Sequence, residues 1–250
     1  MTLQRYIKQK FTDITGYWTY KQKHLPVGTD PIVDLKKKIQ LNLTVIFDVG
    51  ANNGQTAIKY AKYFPAARVY SFEPISNTFK QLQENTAAYK NVSGYKIALG
   101  DKNETIQVKV FTGKASVLNS LNTSAMNSNE GAVMEDVTVE TLDHFIAKNN
   151  IGAIDLLKID TEGYELNVLR GAAETLKSNK VKLIYAEVGF TKVNKRNTYF
   201  ASLVEFMEEA GYTFYGLYEI SHVQLPKRTH YGNALFVNNG LLGSLKRWQQ

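Results

Sequence analysis

Along the chain, unbroken apolar runs alternate with stretches whose apolar residues recur every three or four positions. The first run, Leu43-Thr44-Val45-Ile46-Phe47-Asp48-Val49, has the length and β-branched content of a buried parallel strand, and it breaks at once into Gly50-Ala51-Asn52-Asn53-Gly54-Gln55. Behind that turn, Ala57, Ile58, Ala61 and Phe64 share one face of a helix that Pro65 ends. The pattern repeats as a strand from Arg68 to Glu73, a helix around Phe79 and Leu82, and a strand from Gly94 to Leu99. Ile154 to Ile159 and Lys182 to Ala186 supply two further strands. Alternation of this length predicts an α/β fold, a parallel sheet with helices on both faces.

Two segments interrupt it. Glu104 to Phe111 and Val133 to Glu140 alternate apolar and polar residues, as half-buried antiparallel strands do, and predict an inserted β-hairpin. Between them Thr112 to Ala132 is polar and rich in Ser and Asn, a length at which connections carry function, and it reads as a lid. Near the carboxyl end, Phe200, Leu203, Val204, Phe206 and Met207 face inward on a helix stopped by Gly211, followed by strands Tyr212 to Glu219 and Asn233 to Val237. At the other end, residues 1–30 mix aromatics with lysines (Phe11, Tyr17, Trp18, Tyr20) and predict helix and loop packed beside the main fold. Pro31 then opens a helix with Ile32, Leu35 and Ile39 at helical spacing. The predicted organisation is an N-terminal helical extension, residues 1–30, and one domain, residues 31–250, since no composition break divides the rest.

Candidate chemistry gathers at the strand ends. Glycines at the end of a buried strand let the backbone approach a ligand closely, and the following helix points free N–H groups at it. Dinucleotides and S-adenosylmethionine both use such a turn. The dinucleotide spacing G-x-G-x-x-G is absent, and Asp48 stands where a pyrophosphate would be repelled. An acid there suits a ligand with an ammonium and a sulfonium, while the helix N-terminus suits its carboxylate. Glu73, 19 positions after Gly54, falls where an acid grips ribose hydroxyls in either class. In open α/β sheets ligands bind outside the carboxyl ends of the strands, so Asp48, Glu73, Asp160, Glu162 and Glu187 are expected to share one rim. Glu162 and Glu165 also have a structural reading, as carboxylates favoured near the start of the next helix.

Asp48-Val49-Gly50-Ala51-Asn52-Asn53-Gly54, Phe72-Glu73-Pro74, Ala98-Leu99-Gly100, Thr141-Leu142-Asp143 and Leu157-Lys158-Ile159-Asp160-Thr161-Glu162-Gly163-Tyr164-Glu165, in that order from about Ile32 to Val237, resemble the FkbM family of S-adenosylmethionine-dependent methyltransferases. The resemblance implies a class I methyltransferase, Rossmann-like seven-stranded sheet with its last strand antiparallel, and O-methylation of a sugar, glycan precursor or other small metabolite. It implies cofactor contacts from Asp48, Gly50, Ala51, Asn52, Gly54, Gln55, Glu73, Pro74 and Ala98, with Ser116 reaching the adenine. In that strand order the loop Ile220 to Gly232 overhangs the acceptor and brings His222 and His230. An alcohol attacks well only as its proton leaves, so Asp160, Glu187 or a histidine, His230 among them, is expected as base. Alternatively Asp160, Glu162 and Glu187 hold Mg²⁺, which lowers the acceptor's pKa.

Composition narrows the rivals. Without cysteine there is no disulfide framework and no thiol nucleophile for carbon-5 cytosine methylation. Asp160-Thr161-Glu162-Gly163 stands where adenine-methylating enzymes of this fold tend to carry Asn or Asp, Pro-Pro and an aromatic, so no nucleic-acid partner is expected. A non-catalytic binding module that keeps the fold is a third reading, which the intact acids oppose. The net charge of +7 and pI near 9.3 permit an anionic substrate or an acidic membrane face without demanding either, and Lys36-Lys37-Lys38 reads as a solvated helix face. With no signal peptide and no apolar run near the roughly 20 residues of a bilayer span, the chain reads as soluble and cytoplasmic. Peripheral membrane contact and a homo-oligomer are both compatible with the sequence.

Overall fold

In the computed structural model, residues 2–17, 19–20, 25–111, 132–194, 196–222 and 230–244 are described. The chain divides into two compact units, Met1–Leu41 and Asn42–Gln250, so the helix opened by Pro31 belongs to the first.

In the first unit, α1 (Leu3–Thr15) ends at Gly16, whose left-handed φ of 71° lets its N–H reach back to the Thr12 carbonyl. None of its residues is buried. The short α2 (Pro31–Val33) starts as the sequence dictates: Pro31 needs no N–H partner at the first position, and the Asp30 carboxylate accepts from the Ile32 and Val33 N–H groups. It widens into a π-helical stretch, Asp34–Ile39, that stops at left-handed Gln40. Ile32, Leu35 and Ile39 are buried, as their spacing predicts. Lys36 and Lys37 are exposed, whereas Lys38 lies 2.8 Å from the buried Asp34 carboxylate, which also accepts the Gly28 N–H.

The second unit alternates as expected: β1 (Val45–Val49), α3 (Gln55–Tyr63), β2 (Arg68–Phe72), α4 (Ser76–Thr86), β3 (Val92–Tyr95) and β4 (Ala98–Leu99). The hairpin β5 (Glu104–Phe111) and β6 (Ala132–Glu140) follows, then α5 (Leu142–Lys148), β7 (Ile154–Ile159), α6 (Glu165–Arg170), α7 (Ala173–Lys177) and β8 (Val181–Gly189). The chain closes with α8 (Phe200–Glu209), β9 (Tyr212–His222), β10 (His230–Asn238) and α9 (Asn239–Ser244). Seven strands form one sheet in the order β3-β2-β1-β7-β8-β10-β9, parallel except that β10 runs antiparallel to both its neighbours. β5 and β6 pair antiparallel in a second sheet, order β4-β6-β5, around a small core of Ile75, Ala98, Val108, Val110, Val137 and Val139.

The predicted strand Gly94 to Leu99 is in fact two. Up to Tyr95 the chain pairs with β2, and then Ala98 and Leu99 leave for β6, where they pair with Val139 and Glu140. Apolar periodicity reports burial, not which sheet supplies the burial.

The central strand β7 is buried at every position, including Asp155 and Lys158. Asp155 binds together the amino ends of three strands: its Oδ2 accepts from the Thr44 and Val45 N–H groups and the Thr44 hydroxyl, and its Oδ1 lies 2.6 Å from Lys182 Nζ. Burial alone would raise this carboxyl, but Lys182 and those donors hold it below the usual carboxylate range.

Candidate functional site

The glycine turn sits at the carboxyl edge of β1. Gly50 (φ 75°), Asn52 (φ 49°) and Gly54 (φ 90°) are left-handed, and the Gly50 and Ala51 N–H groups both donate to the Phe72 carbonyl of β2. A Cβ on Gly50 would lie 1.8 Å from the Asp160 carbonyl oxygen, so only glycine lets this turn press against the end of β7. α3 then begins with no side-chain cap, which leaves its first N–H groups without a side-chain acceptor. Glu73 is buried beside the turn, taking the Asn52 N–H at 3.1 Å and the Ile75 N–H at 2.9 Å. Burial pushes its carboxyl up to about 7, against those two hydrogen bonds.

Asp48 and Asp160 meet across a lysine that the strand pattern conceals. Lys158 Nζ is 3.1 Å from Asp48 Oδ1, 3.4 Å from Asp160 Oδ2 and 3.3 Å from the Gly50 carbonyl. Burial would drive the Lys158 ammonium down, yet Asp48 and Asp160 carry it well above its usual range, and it stays charged. Asp48 is fully buried, and burial raises its carboxyl against the pull of Lys158, whereas the Asp160 side chain is 37% exposed. The sequence carries a signal for Lys158: a lysine inside an unbroken apolar run cannot stay unpaired. Asp48 Oδ2 and Ser71 Oγ, register partners on β1 and β2, are buried without a protein hydrogen bond among the described residues.

The other rim acids bind protein. Glu165 is buried and accepts five hydrogen bonds, from the Thr161 N–H and hydroxyl, the Gly163 N–H, and the Thr198 N–H and hydroxyl. It therefore does more than favour the start of α6, because it ties the β7 end to the segment after β8. Glu162, left-handed at φ 54°, lies 2.9 Å from Arg196, and Glu187 accepts from Asn197, which Asn194 holds at 2.6 Å. The convergence of acids at the rim thus has a structural cause: three of them fasten Arg196, Asn197 and Thr198. Burial pushes Glu162 up to about 7 and, with Asp160, Glu162 and Glu165 nearby, pushes Glu187 up to about 9. Burial and those neighbouring carboxylates thus favour the protonated form of Glu187, one oxygen of which Asn197 already engages.

The Mg²⁺ set of Asp160, Glu162 and Glu187 finds no support. Among the described residues no three His, Asp or Glu are grouped to hold a metal, and Lys158, Arg196 and Asn197 each engage one of these carboxylates.

Of the remaining expected contacts, Gln55 and Asn52 are exposed at the turn, Ala51 is buried in it, and Pro74 is half-buried next to Glu73. Ala98 is buried against the small core that includes Ile75. His230 opens β10, paired with His222 of β9, and its carbonyl accepts the Phe190 N–H just beyond β8, so its backbone belongs to the rim. The side chain of His222, the loop 223–229, Ser116 and the lid segment lie outside the described residues, Ala132 excepted as the first residue of β6. Glu219, which sequence reading missed, joins four elements: it takes Tyr185 Oη at 3.0 Å and Asn233 Nδ2 at 3.2 Å, and Lys59 of α3 at 3.3 Å.

A seven-stranded sheet of this order, with a glycine turn after its first strand and acids along its carboxyl rim, defines the class I, Rossmann-like methyltransferase fold. Residues 48–214 match the model of the methyltransferase FkbM domain, and the chain belongs to that family. It is 26% identical over 153 residues to 2-O-methyltransferase NoeI of Sinorhizobium fredii, covering 57% of this chain and 62% of that protein. It is 27% identical to hexuronic acid methyltransferase AglP of Haloferax volcanii (58% and 56% covered) and 29% identical to 31-O-demethyl-FK506 methyltransferase FkbM of Streptomyces tacrolimicus (58% and 65%). Each match spans less than two thirds of the relative's own length. The crystal structure of methyltransferase FkbM from Methylobacillus flagellatus shares the fold, with a TM-score of 0.54 at 16% identity over 87% of this chain and 50% of that one. No helix among the described residues is long and apolar enough to cross a membrane.

Proposed function

We propose that this chain methylates a hydroxyl of a sugar, glycan precursor or other small metabolite, with S-adenosylmethionine as donor. The observation that carries the reading is the turn Gly50 to Gly54, pressed on the Asp160 carbonyl and backed by buried Glu73. The names of the relatives, a 2-O-methyltransferase and a hexuronic acid methyltransferase among them, support the hydroxyl and sugar part.

The residues present fit the donor. The uncapped N–H groups of α3 suit its carboxylate, and the outward Asp160 suits its ammonium. Glu73 spends one backbone hydrogen bond on each oxygen, and a carboxylate oxygen with lone pairs to spare can still accept a ribose hydroxyl. S-adenosylmethionine supplies, when bound, a methyl group activated by the sulfonium. The chain's own work is to hold the acceptor in line, exclude water and take the proton that leaves the hydroxyl. We assign that last role to one of the rim groups Asp160, Glu187 and His230.

Calorimetric titration of the chain with S-adenosylmethionine, its demethylated product and a nicotinamide dinucleotide tests the donor. Micromolar binding of the first two alone is expected, and binding of the dinucleotide alone refutes it. A screen of sugars, polyols and RNA for labelled methyl transfer tests the acceptor class, and transfer to RNA alone overturns it.

A further inference from the structure

α1 carries an apolar stripe that is exposed among the described residues. Leu3, Ile7, Phe11 and Ile14 recur at offsets of four, eight and eleven, which places them on one face, and they are exposed, Leu3 at 74% and Ile14 at 82%. Tyr6, exposed at its flank, widens the stripe. Arg5 falls on the opposite side, Lys8 on the flank away from Tyr6, and Lys10 borders the stripe with its ammonium 5.9 Å from the Tyr6 ring centre. Lys8 reaches the Tyr20 ring at 4.8 Å. Between residues 1 and 24 the sequence has five Lys and Arg and a single acid, Asp13, to which Gln9 donates at 2.8 Å.

An apolar stripe backed by cations and edged by aromatic rings matches a surface that offers hydrocarbon beneath negative charge. We propose that α1 docks on an anionic phospholipid surface, lying in its plane. With 13 residues the helix is about 20 Å long, too short for the roughly 30 Å hydrocarbon core, so it lies on the bilayer rather than across it. A lysine at the edge of the stripe is tolerated there, since its stem follows the apolar surface while its ammonium reaches the headgroups. The same features fit a second copy of the chain poorly. Fewer than two heptads make a marginal coiled coil, and Lys10 at the edge of the stripe would bring like charges to the seam of such a pair. Lipid docking by α1 holds whichever acceptor the catalytic unit uses.

The test is co-sedimentation of the full chain with vesicles of phosphatidylcholine alone and of phosphatidylcholine mixed with phosphatidylglycerol. At least about tenfold stronger partitioning onto the mixed vesicles is expected, because each cation near such a surface adds to the attraction. Ile7→Gln with Ile14→Gln should abolish it while leaving the charge, and Arg5→Gln with Lys8→Gln should abolish the preference for the anionic lipid. Raised salt should weaken binding of the unaltered chain. Circular dichroism and donor affinity, unchanged in both variants, exclude misfolding as the cause. Equal or absent binding to both vesicle types, or binding untouched by the Ile7 and Ile14 substitutions, overturns the proposal. So does light scattering that shows a dimer which those substitutions turn into a monomer, since the stripe then belongs to a second copy.

Discussion

Asp48 and Lys158 are register partners on β1 and β7, and their oppositely charged ends stand 3.1 Å apart with both side chains buried. A buried pair of this kind adds little net stability over an apolar pair of the same shape, but losing one member leaves the other charged and without water. Lys158→Met should therefore destabilise the fold by about 3–5 kcal/mol, read from urea unfolding. Adding Asp48→Asn to that variant should recover at least about 1 kcal/mol, as the uncompensated carboxylate is gone. A Lys158→Met protein of unaltered stability would show that the pair is not formed.

Glu73 links the turn to the β2 end through the Asn52 and Ile75 N–H groups. Glu73→Ala should weaken S-adenosylmethionine binding by roughly 1.5–3 kcal/mol in calorimetry, the range for charge-assisted hydrogen bonds. Unchanged affinity would remove Glu73 from the ribose site.

Gly50 tests the cradle without touching charge. Gly50→Ala forces a Cβ onto the Asp160 carbonyl and a left-handed backbone onto alanine, so donor binding should be lost. Gly171→Ala, which would meet the Gly100 carbonyl at the same 1.8 Å in a part of the fold given no ligand role, is the control. It should destabilise the chain, yet leave binding measurable at low temperature.

Asp160 and Glu187 should separate by role. Asp160→Asn keeps shape and removes charge, and if Asp160 takes the acceptor proton, turnover should fall at least about a hundredfold with donor affinity less affected. If it holds the donor ammonium, affinity and turnover should fall together. Glu187→Gln, at a carboxyl that burial raises and Asn197 already engages, should cost less than Asp160→Asn at neutral pH in the same assay.

The pH dependence of stability follows from the same acids. Glu73 and Glu162, raised to about 7, and Glu187, raised to about 9, bind protons in the folded state that the unfolded chain has released above about 4.5. Their contribution therefore falls as pH rises from about 4.5 through 7 and, for Glu187, on to about 9. Asp155 has the opposite sign: its lowered pKa stabilises the fold above the usual Asp value, and the gain is lost as pH falls toward the folded value. The ligand-free chain should thus unfold at a higher temperature near pH 6 than near pH 9. Glu187→Gln should raise stability more near pH 9 than near pH 6, a difference calorimetry resolves.

The strands and helices that a sequence displays are those whose burial is local in origin. Ile154 to Ile159 is read to the residue because every position of β7 is covered, and the hairpin because each of its strands alternates. Glu73 and the two glycines are legible because the turn dictates them. Lys158 was visible as a residue but not as a bridge, since its partners come from β1 and from beyond its own strand end. Glu162 and Glu187 read as rim chemistry because the residues they fasten, Arg196 and Asn197, arrive through a fold-level return of the chain after β8. No local pattern announces that return.

The charges inside β7 also make its alignment unambiguous. Apolar runs such as those of β1, β7 and β8 are interchangeable under sliding, since any register buries the same kind of surface. With Asp155 facing Thr44, Val45 and Lys182 at one end and Lys158 facing Asp48 at the other, a shift of one residue turns every side chain to the opposite face. An ammonium and a carboxylate would then be stranded in hydrocarbon. Two polar residues three positions apart thus act as a key cut into an otherwise featureless strand, and the misaligned sheets that hydrophobicity alone would accept are locked out.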